Sequence, residues 1–173
     1  MNRKGFQWIF YNHIYHKTIV LGLGNTIRGD DGIGIHVTHA LEEKFFSEAD
    51  FACSEEMGLA LLDYLSGYEE AIIIDSICTS DRVEGRVHHI SLADFPPRDK
   101  QSSHYTGLPE AADLARKLNI PFPHQVHIIG IEVVESFAVT NSLSLSLKNK
   151  LPEILSSVEN TVEKILHSER VTN

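Results

Sequence analysis

The sequence has few cysteines, comparatively few basic side chains and no long apolar run. Its two cysteines, Cys53 and Cys78, are too few for a disulfide scaffold and are typical of reduced thiols in a cytoplasmic protein. No stretch approaches the roughly 18 consecutive apolar residues of a membrane-spanning helix. Lysine and arginine number 15 against 24 aspartates and glutamates, which gives a net charge of −9. Nucleic acid and anionic membranes need a basic face, so both are disfavoured as partners.

The composition is otherwise that of an ordinary globular domain. Of the 173 residues, 42% are hydrophobic and 23% are charged, which fits one domain with a sizeable core. Residues 1–17 match no targeting signal, because polar side chains interrupt their apolar stretch and no small-residue cleavage site follows. We therefore expect an N-terminal extension over residues 1–17 and a single domain over residues 18–173, and we favour a monomer.

The stretch around which the chain is organised is IVLGLGNTIRGDDGIG, residues 19–34. A short apolar run stops at a glycine turn, and helical apolar spacing begins just past Gly34, which indicates a strand, a tight loop and a helix. The adjacent carboxylates of Asp30 and Asp31 lie on this loop. Ligands usually bind at the carboxyl end of the first strand of an open α/β sheet, so we expect the chemistry here.

The remaining chain alternates between strand and helix patterns. Apolar spacing predicts helices over residues 32–46, 57–65 and 108–118, and a last helix capped by Ser144; strands are predicted over residues 50–53, 71–74, 85–90 and 126–133. The unbroken apolar run 71–74 is typical of a strand buried on both faces, and Asp75 ends it. The alternation predicts a three-layer α/β/α sandwich with a mostly parallel, doubly wound sheet.

Three interpretations of these residues can be compared: a dinucleotide site, a metal site and a purely structural role. A dinucleotide site is disfavoured, because Ile27 occupies the place of the third small residue of the fingerprint and two aspartates would repel a pyrophosphate. A metal site would use Asp31 and Asp75 at strand ends and His104 from a polar loop, a set that suits nickel or zinc. The opposing interpretation is that Asp31 caps the helix and His104 is an ordinary loop histidine.

Three further features are open to a functional and a structural interpretation. His36 and His39 are spaced to share a metal, but without a third ligand we expect ordinary helix histidines. Cys78 with His104 as base would make a cysteine nucleophile, although a cysteine there is more often a small buried apolar residue. Glu55 and Glu56 are expected to form a solvated turn.

Taken together, the motifs resemble a known family. The block GxGN(x4)DDGxG, the apolar strand ending in Asp75 and the later segment SSHYTGLPEAADLA are similar to those of the hydrogenase maturation endopeptidases. The resemblance covers residues 18–166. It implies an enzyme that removes a C-terminal extension from the large-subunit precursor of a nickel–iron hydrogenase after nickel insertion. A departure is the sequence SEEMG at residues 54–58, where many relatives have a small Gly-Thr turn.

The resemblance also implies roles for individual residues. Metal contacts fall on Asp31, Asp75 and His104, and either carboxylate is a candidate general base for water. Gly24, Asn25, Asp30 and Gly58 are candidates for the substrate-binding loops. Nickel is expected to come with the precursor as a recognition handle, so the isolated protein would be metal-free or would hold a surrogate divalent ion. The alternatives left open are a cysteine peptidase and a module that senses nickel or holds the precursor without cutting it.

Overall fold

The computed structural model describes residues 16–92, 108–134 and 139–168. These residues form five strands: β1 Thr18–Leu23, β2 Asp50–Ser54, β3 Glu70–Ile77, β4 Val87–Ser91 and β5 Gln125–Glu132. They also form four α-helices: α1 Ile33–Phe45, the one-turn α2 Leu62–Leu65, α3 Leu108–Leu118 and α4 Leu145–Ser168. Short 3₁₀ turns at Gly29–Gly32 and Gly58–Leu61 precede α1 and α2. The predicted N-terminal extension lies almost entirely outside the described residues, and the domain limits remain a prediction.

The strands form one sheet in the order β2-β1-β3-β5-β4. The pairs β1–β2, β1–β3 and β3–β5 are parallel, and only the edge strand β4 is antiparallel, to β5. The chain leaves β1 toward β2 on one side and returns past it to β3 on the other. The carboxyl ends of β1 and β3 therefore flank the point where the strand order reverses, which is the usual ligand position in such sheets.

Helices cover both faces of the sheet, which confirms the predicted three-layer arrangement. On one face α1 and α4 pack against the sheet, with Val37 and Leu41 of α1 and Val158 and Val162 of α4 in one apolar cluster. On the other face the segment of α2 and the start of α3 pack in a second cluster that includes Leu61, Leu65 and Leu108. All eight residues of β3 are buried, as expected for a central strand covered on both faces.

The structure confirms most predicted elements and corrects two of them. Helix α3 has the predicted bounds, and Ser144 Oγ accepts a hydrogen bond from Leu147 N at 3.2 Å, so Ser144 caps α4 as predicted. The prediction that β3 ends before Asp75 was wrong, because Ser76 and Ile77 continue the pairing with β5. The helix predicted over residues 57–65 is a 3₁₀ turn followed by the single turn of α2.

Candidate functional site

The loop after β1 is a tight turn fixed by Asn25. The carbonyl oxygen of Asn25 accepts a hydrogen bond from Arg28 N at 3.1 Å, and its side-chain Oδ1 accepts one from Ile27 N at 3.1 Å. Gly24 has a φ of +148°, and a Cβ there would lie 2.2 Å from the carbonyl oxygen of Asp31. The turn thus closes on itself, and only glycine fits at position 24 where it meets the Asp31 backbone.

Gly34 allows helix α1 to start directly against the sheet. A Cβ at this position would lie 2.3 Å from the carbonyl oxygen of Leu23 and 2.4 Å from that of Ile74. The first turn of α1 therefore sits on the backbone of both β1 and β3. This contact also brings the 3₁₀ turn that carries Asp31 over the carboxyl end of β3, where Asp75 lies.

Ser76 connects Asp31 and Asp75 near the carboxyl end of β3, because it donates a hydrogen bond to each of them. The Ser76 hydroxyl donates to Asp31 Oδ1 at 3.0 Å, and the Ser76 backbone N–H donates to Asp75 Oδ1 at 2.7 Å. Asp75 and Ser76 are buried, with exposed fractions of 0% and 5%, whereas Asp31 is partly exposed. One serine thus contacts both predicted carboxylates, and the Oδ2 atoms of Asp31 and Asp75 are both buried.

Asp30, the neighbour of Asp31, makes its contact elsewhere. Its Oδ1 accepts a hydrogen bond of 2.6 Å from the backbone N–H of Ser144, at the start of α4. Asp30 is buried, and its carboxylate lies where the exposed N–H groups of a helix end favour negative charge. The two adjacent aspartates therefore connect to different elements, α4 and β3.

The loop after β2 is attached to the loop after β1. Glu55 Oε1 accepts hydrogen bonds from Thr26 Oγ1 at 2.6 Å and from Thr26 N at 3.1 Å. These bonds lower the pKa of Glu55 below its ordinary value, so the exposed carboxylate is ionised at neutral pH. Glu55 and Glu56 are both exposed, as expected for a solvated turn, but Glu55 also joins two loops. Gly58 follows with a φ of +63°.

The predicted third ligand, His104, lies outside the described residues, so its position relative to Asp31 and Asp75 stays a prediction. Across residues 16–92, 108–134 and 139–168, no group of three or more His, Cys, Asp or Glu side chains is arranged to hold a metal ion. His36 and His39 are exposed on α1. Cys78, the alternative nucleophile, is half-buried just past the end of β3.

Another buried carboxylate, besides those of Asp75 and Asp30, belongs to Glu132 at the end of β5. Glu132 is 0% exposed and accepts hydrogen bonds from Thr79 Oγ1, from Val83 N at 2.8 Å and from His88 Nε2 at 3.1 Å. Burial alone would raise its pKa, but these hydrogen bonds hold the pKa of Glu132 below its ordinary value. An ionised Glu132 thus holds the loop between β3 and β4 in place.

Several known proteins resemble this chain in sequence and in fold. No protein-family model matches the chain. The hydrogenase 2 maturation protease of Escherichia coli K12 is 24% identical over 158 residues, which are 86% of this chain and 95% of that protein. The structure of the E. coli hydrogenase maturating endopeptidase HybD matches with a TM-score of 0.66 at 22% identity, over 85% of this chain and 92% of that one. The [NiFe] hydrogenase maturation protease HybD of Thermococcus kodakarensis matches with a TM-score of 0.63 at 25% identity, over 83% and 97%.

The chain is a distant homologue of the hydrogenase maturation proteases. The match covers 95% of the E. coli relative, which is nearly its full length. It also extends to the sheet, since HybD shares the α/β fold with a mostly parallel sheet. In the part of the chain that the structure describes, no helix is long and apolar enough to cross a membrane.

Sequence reasoning missed two residues of this region, Ser76 and Glu132. Ser76 follows Asp75 in sequence, but its hydroxyl reaches Asp31, 45 positions away, and no local pattern signals that bond. Glu132 ends a strongly apolar strand, and a lone carboxylate at such a position is a signal for a buried, hydrogen-bonded charge. That signal was available in the sequence.

Proposed function

We propose that this chain is an endopeptidase that removes the C-terminal extension of a nickel–iron hydrogenase large-subunit precursor after nickel insertion. The main support for the proposal is that Asp31 and Asp75 lie close together near the carboxyl end of β3, where Ser76 donates a hydrogen bond to each. The distant homology to hydrogenase maturation proteases supports the reaction class. The precursor arrives with its nickel, which is therefore part of the substrate.

In this proposal Asp31 makes the first contact with the substrate. Asp31 is partly exposed as a residue, whereas Asp75 is fully buried, so Asp31 is the one of the two that lies nearer to an incoming precursor. Carboxylate oxygens and an imidazole suit a borderline divalent ion, and His104 would complete the set with Asp31 and Asp75. Binding the ion in the precursor would hold the scissile peptide bond next to the carboxylates.

The chemical step is hydrolysis of one peptide bond. A carboxylate takes a proton from water as the water oxygen bonds to the scissile carbonyl carbon. The carbon–nitrogen bond then breaks, and the proton passes to the departing amine nitrogen. We assign the base role to Asp31 because it is the less buried of the two residues. We assign to Asp75 a supporting role on the buried side of Asp31.

The experiment that tests the proposal is intact-mass measurement of the purified precursor, nickel-loaded and nickel-free, after incubation with this protein. Loss of a C-terminal peptide from the loaded form alone is the expected result. Binding of both forms without any change in mass would favour the holding module instead. The same assay with Cys78→Ala separates the cysteine-peptidase mechanism, because only that mechanism needs the thiol.

A further inference from the structure

Exposed apolar side chains are concentrated on the side of the sheet where the strands have their carboxyl ends and where the candidate site lies. Within the described residues, nine large hydrophobic side chains are exposed, and seven of them lie on segments that follow the carboxyl ends of strands: Ile27, Met57, Leu59, Val83, Val134, Val139 and Leu145. The other two, Phe46 and Leu118, lie at the opposite edge, at the carboxyl ends of α1 and α3. Single exposed apolar residues are normal, but a concentration on one edge indicates an interaction surface.

Hydrogen bonds between loops join the segments that carry four of these side chains. Glu55 joins the loop after β2 to Thr26 in the loop after β1. Thr140 joins the segment before α4 to the same loop, through Thr140 N to Ile27 O at 3.0 Å and Gly29 N to Thr140 O at 2.7 Å. We call the resulting surface the loop rim, which consists of Ile27, Met57, Leu59 and Val139.

The loop rim borders the candidate site. Ile27 lies at the outer end of the turn whose inner end carries Asp31, and the Asp31 backbone N–H donates to the carbonyl oxygen of Arg28 at 3.4 Å. The side chains of the loop rim are between 47% and 84% exposed, so a partner can reach them. A protein that presents a peptide bond to Asp31 would therefore also lie against the loop rim.

The charge of these loops is predominantly negative. The segments 24–32, 55–61 and 139–144 hold one cation, Arg28, against four carboxylates, those of Asp30, Asp31, Glu55 and Glu56. Asp30 is buried against α4, but Glu55 and Glu56 are exposed next to Met57. Hydrogen bonds from Thr26 keep the pKa of Glu55 low, so its charge is present at neutral pH. The surface is thus apolar with an anionic border, which complements an apolar segment that carries basic side chains.

We propose that the loop rim is a docking surface for an apolar surface segment of the protein substrate, with a lysine or arginine of that segment facing Glu55 and Glu56. This inference rests on the proposed function, because the partner is the precursor that Asp31 would act on. Burial of the apolar side chains supplies the affinity, and the two glutamates set the orientation and speed of encounter.

The test is a binding measurement with the nickel-loaded precursor, using immobilised full-length protein. The variant Met57→Ser/Leu59→Ser removes two side chains of the loop rim, and Phe46→Ser/Leu118→Ser is the matched control at the opposite edge. All four side chains are exposed, so both variants should keep the thermal stability of the wild type. We expect at least about tenfold weaker binding for the rim variant and unchanged binding for the control.

The charges are tested separately with Glu55→Gln/Glu56→Gln. The amide oxygen that this variant introduces at position 55 can still accept hydrogen bonds from Thr26, so the loop contact is kept while the charge is lost. We expect a lower association rate and a weaker dependence of that rate on salt. If the rim variant binds like the control, or the glutamine variant keeps the salt dependence of the wild type, the docking surface is wrong. If the wild type itself neither binds nor cuts the precursor, the proposed function fails, which is a distinguishable result.

Discussion

The hydroxyl of Ser76 lies 3.0 Å from Oδ1 of Asp31 and connects the loop after β1 to strand β3. The bond joins residues 45 positions apart and orients Asp31, the less buried of the two predicted catalytic residues. Ser76 therefore acts as a positioning residue for Asp31. It holds one oxygen of Asp31 in place before the substrate arrives.

Removing this hydroxyl should impair processing more than folding. Ser76→Ala loses the bond to Asp31 but keeps the backbone bond to Asp75, so we expect about a tenfold lower rate of precursor cleavage. Ser76→Thr keeps the hydroxyl and should retain most of the rate. The measurement is the cleavage rate at saturating precursor, with thermal unfolding as the check on the fold. Equal rates for the alanine and threonine variants would show that the bond has no role in positioning.

The adjacent aspartates should separate into a structural and a functional residue. Asp30→Ala removes the acceptor for Ser144 N at the start of α4, and we expect the free energy of unfolding to fall by about 1–2 kcal/mol. Asp31→Ala should change that energy much less and should abolish processing. Urea denaturation and the cleavage assay on both variants check this division. A larger loss of stability for Asp31→Ala than for Asp30→Ala would contradict it.

Gly34 should tolerate no side chain. Its Cβ would lie 2.3–2.4 Å from two backbone oxygens, which cannot move without separating α1 from the sheet. We expect Gly34→Ala to lower the free energy of unfolding by about 3 kcal/mol. Gly32→Ala is the matched control two residues earlier, since its nearest contacts are at 3.4 Å. Similar stability of the two variants in urea would mean that the close packing is not required.

Acid should remove the contribution of Glu132 to stability. Its pKa is lower in the folded state than the ordinary 4.5, so its stabilising effect is present above about pH 4.5 and is lost as the pH falls through the folded-state value. We expect Glu132→Gln to cost about 2 kcal/mol at pH 7. The difference from the wild type should shrink as the pH falls from about 4.5 through the lower folded-state pKa, where Glu132 of the folded protein becomes neutral. Urea denaturation at several pH values measures this. A difference that does not change with pH would rule out the ionised carboxylate as its cause.

The sequence predicts much of this fold because its local patterns are strong. The apolar spacing of α3 has the right bounds, and Ser144 marks the start of α4. The local pattern did not predict where β3 ends. Ser76 and Ile77 follow Asp75, and a charged residue ordinarily marks the end of a buried strand. Pairing with β5 overrides that local signal, because a neighbouring strand supplies the hydrogen bonds.

The meeting of the two aspartates was predictable from the sequence, but its details were not. Parallel strands bring their carboxyl ends together, so the convergence of Asp31 and Asp75 follows from topology. Which of two adjacent aspartates faces β3 does not follow, because it depends on where α4 begins, 114 positions after Asp30. The contact between Glu55 and Thr26 likewise requires that β2 lie beside β1, which the order of elements leaves open.

Asp31 and Asp75 are proposed to act together on a peptide bond of the nickel-loaded precursor. The most direct test is the intact mass of that precursor after incubation with Asp31→Asn, Asp75→Asn and His104→Ala, beside Asp63→Asn, an exposed aspartate of α2, as control. We predict a loss of at least about a hundredfold in the cleavage rate for the first three, with the fold retained, and a normal rate for the control. Normal cleavage by the Asp31→Asn and Asp75→Asn proteins would show that these carboxylates do not carry the reaction.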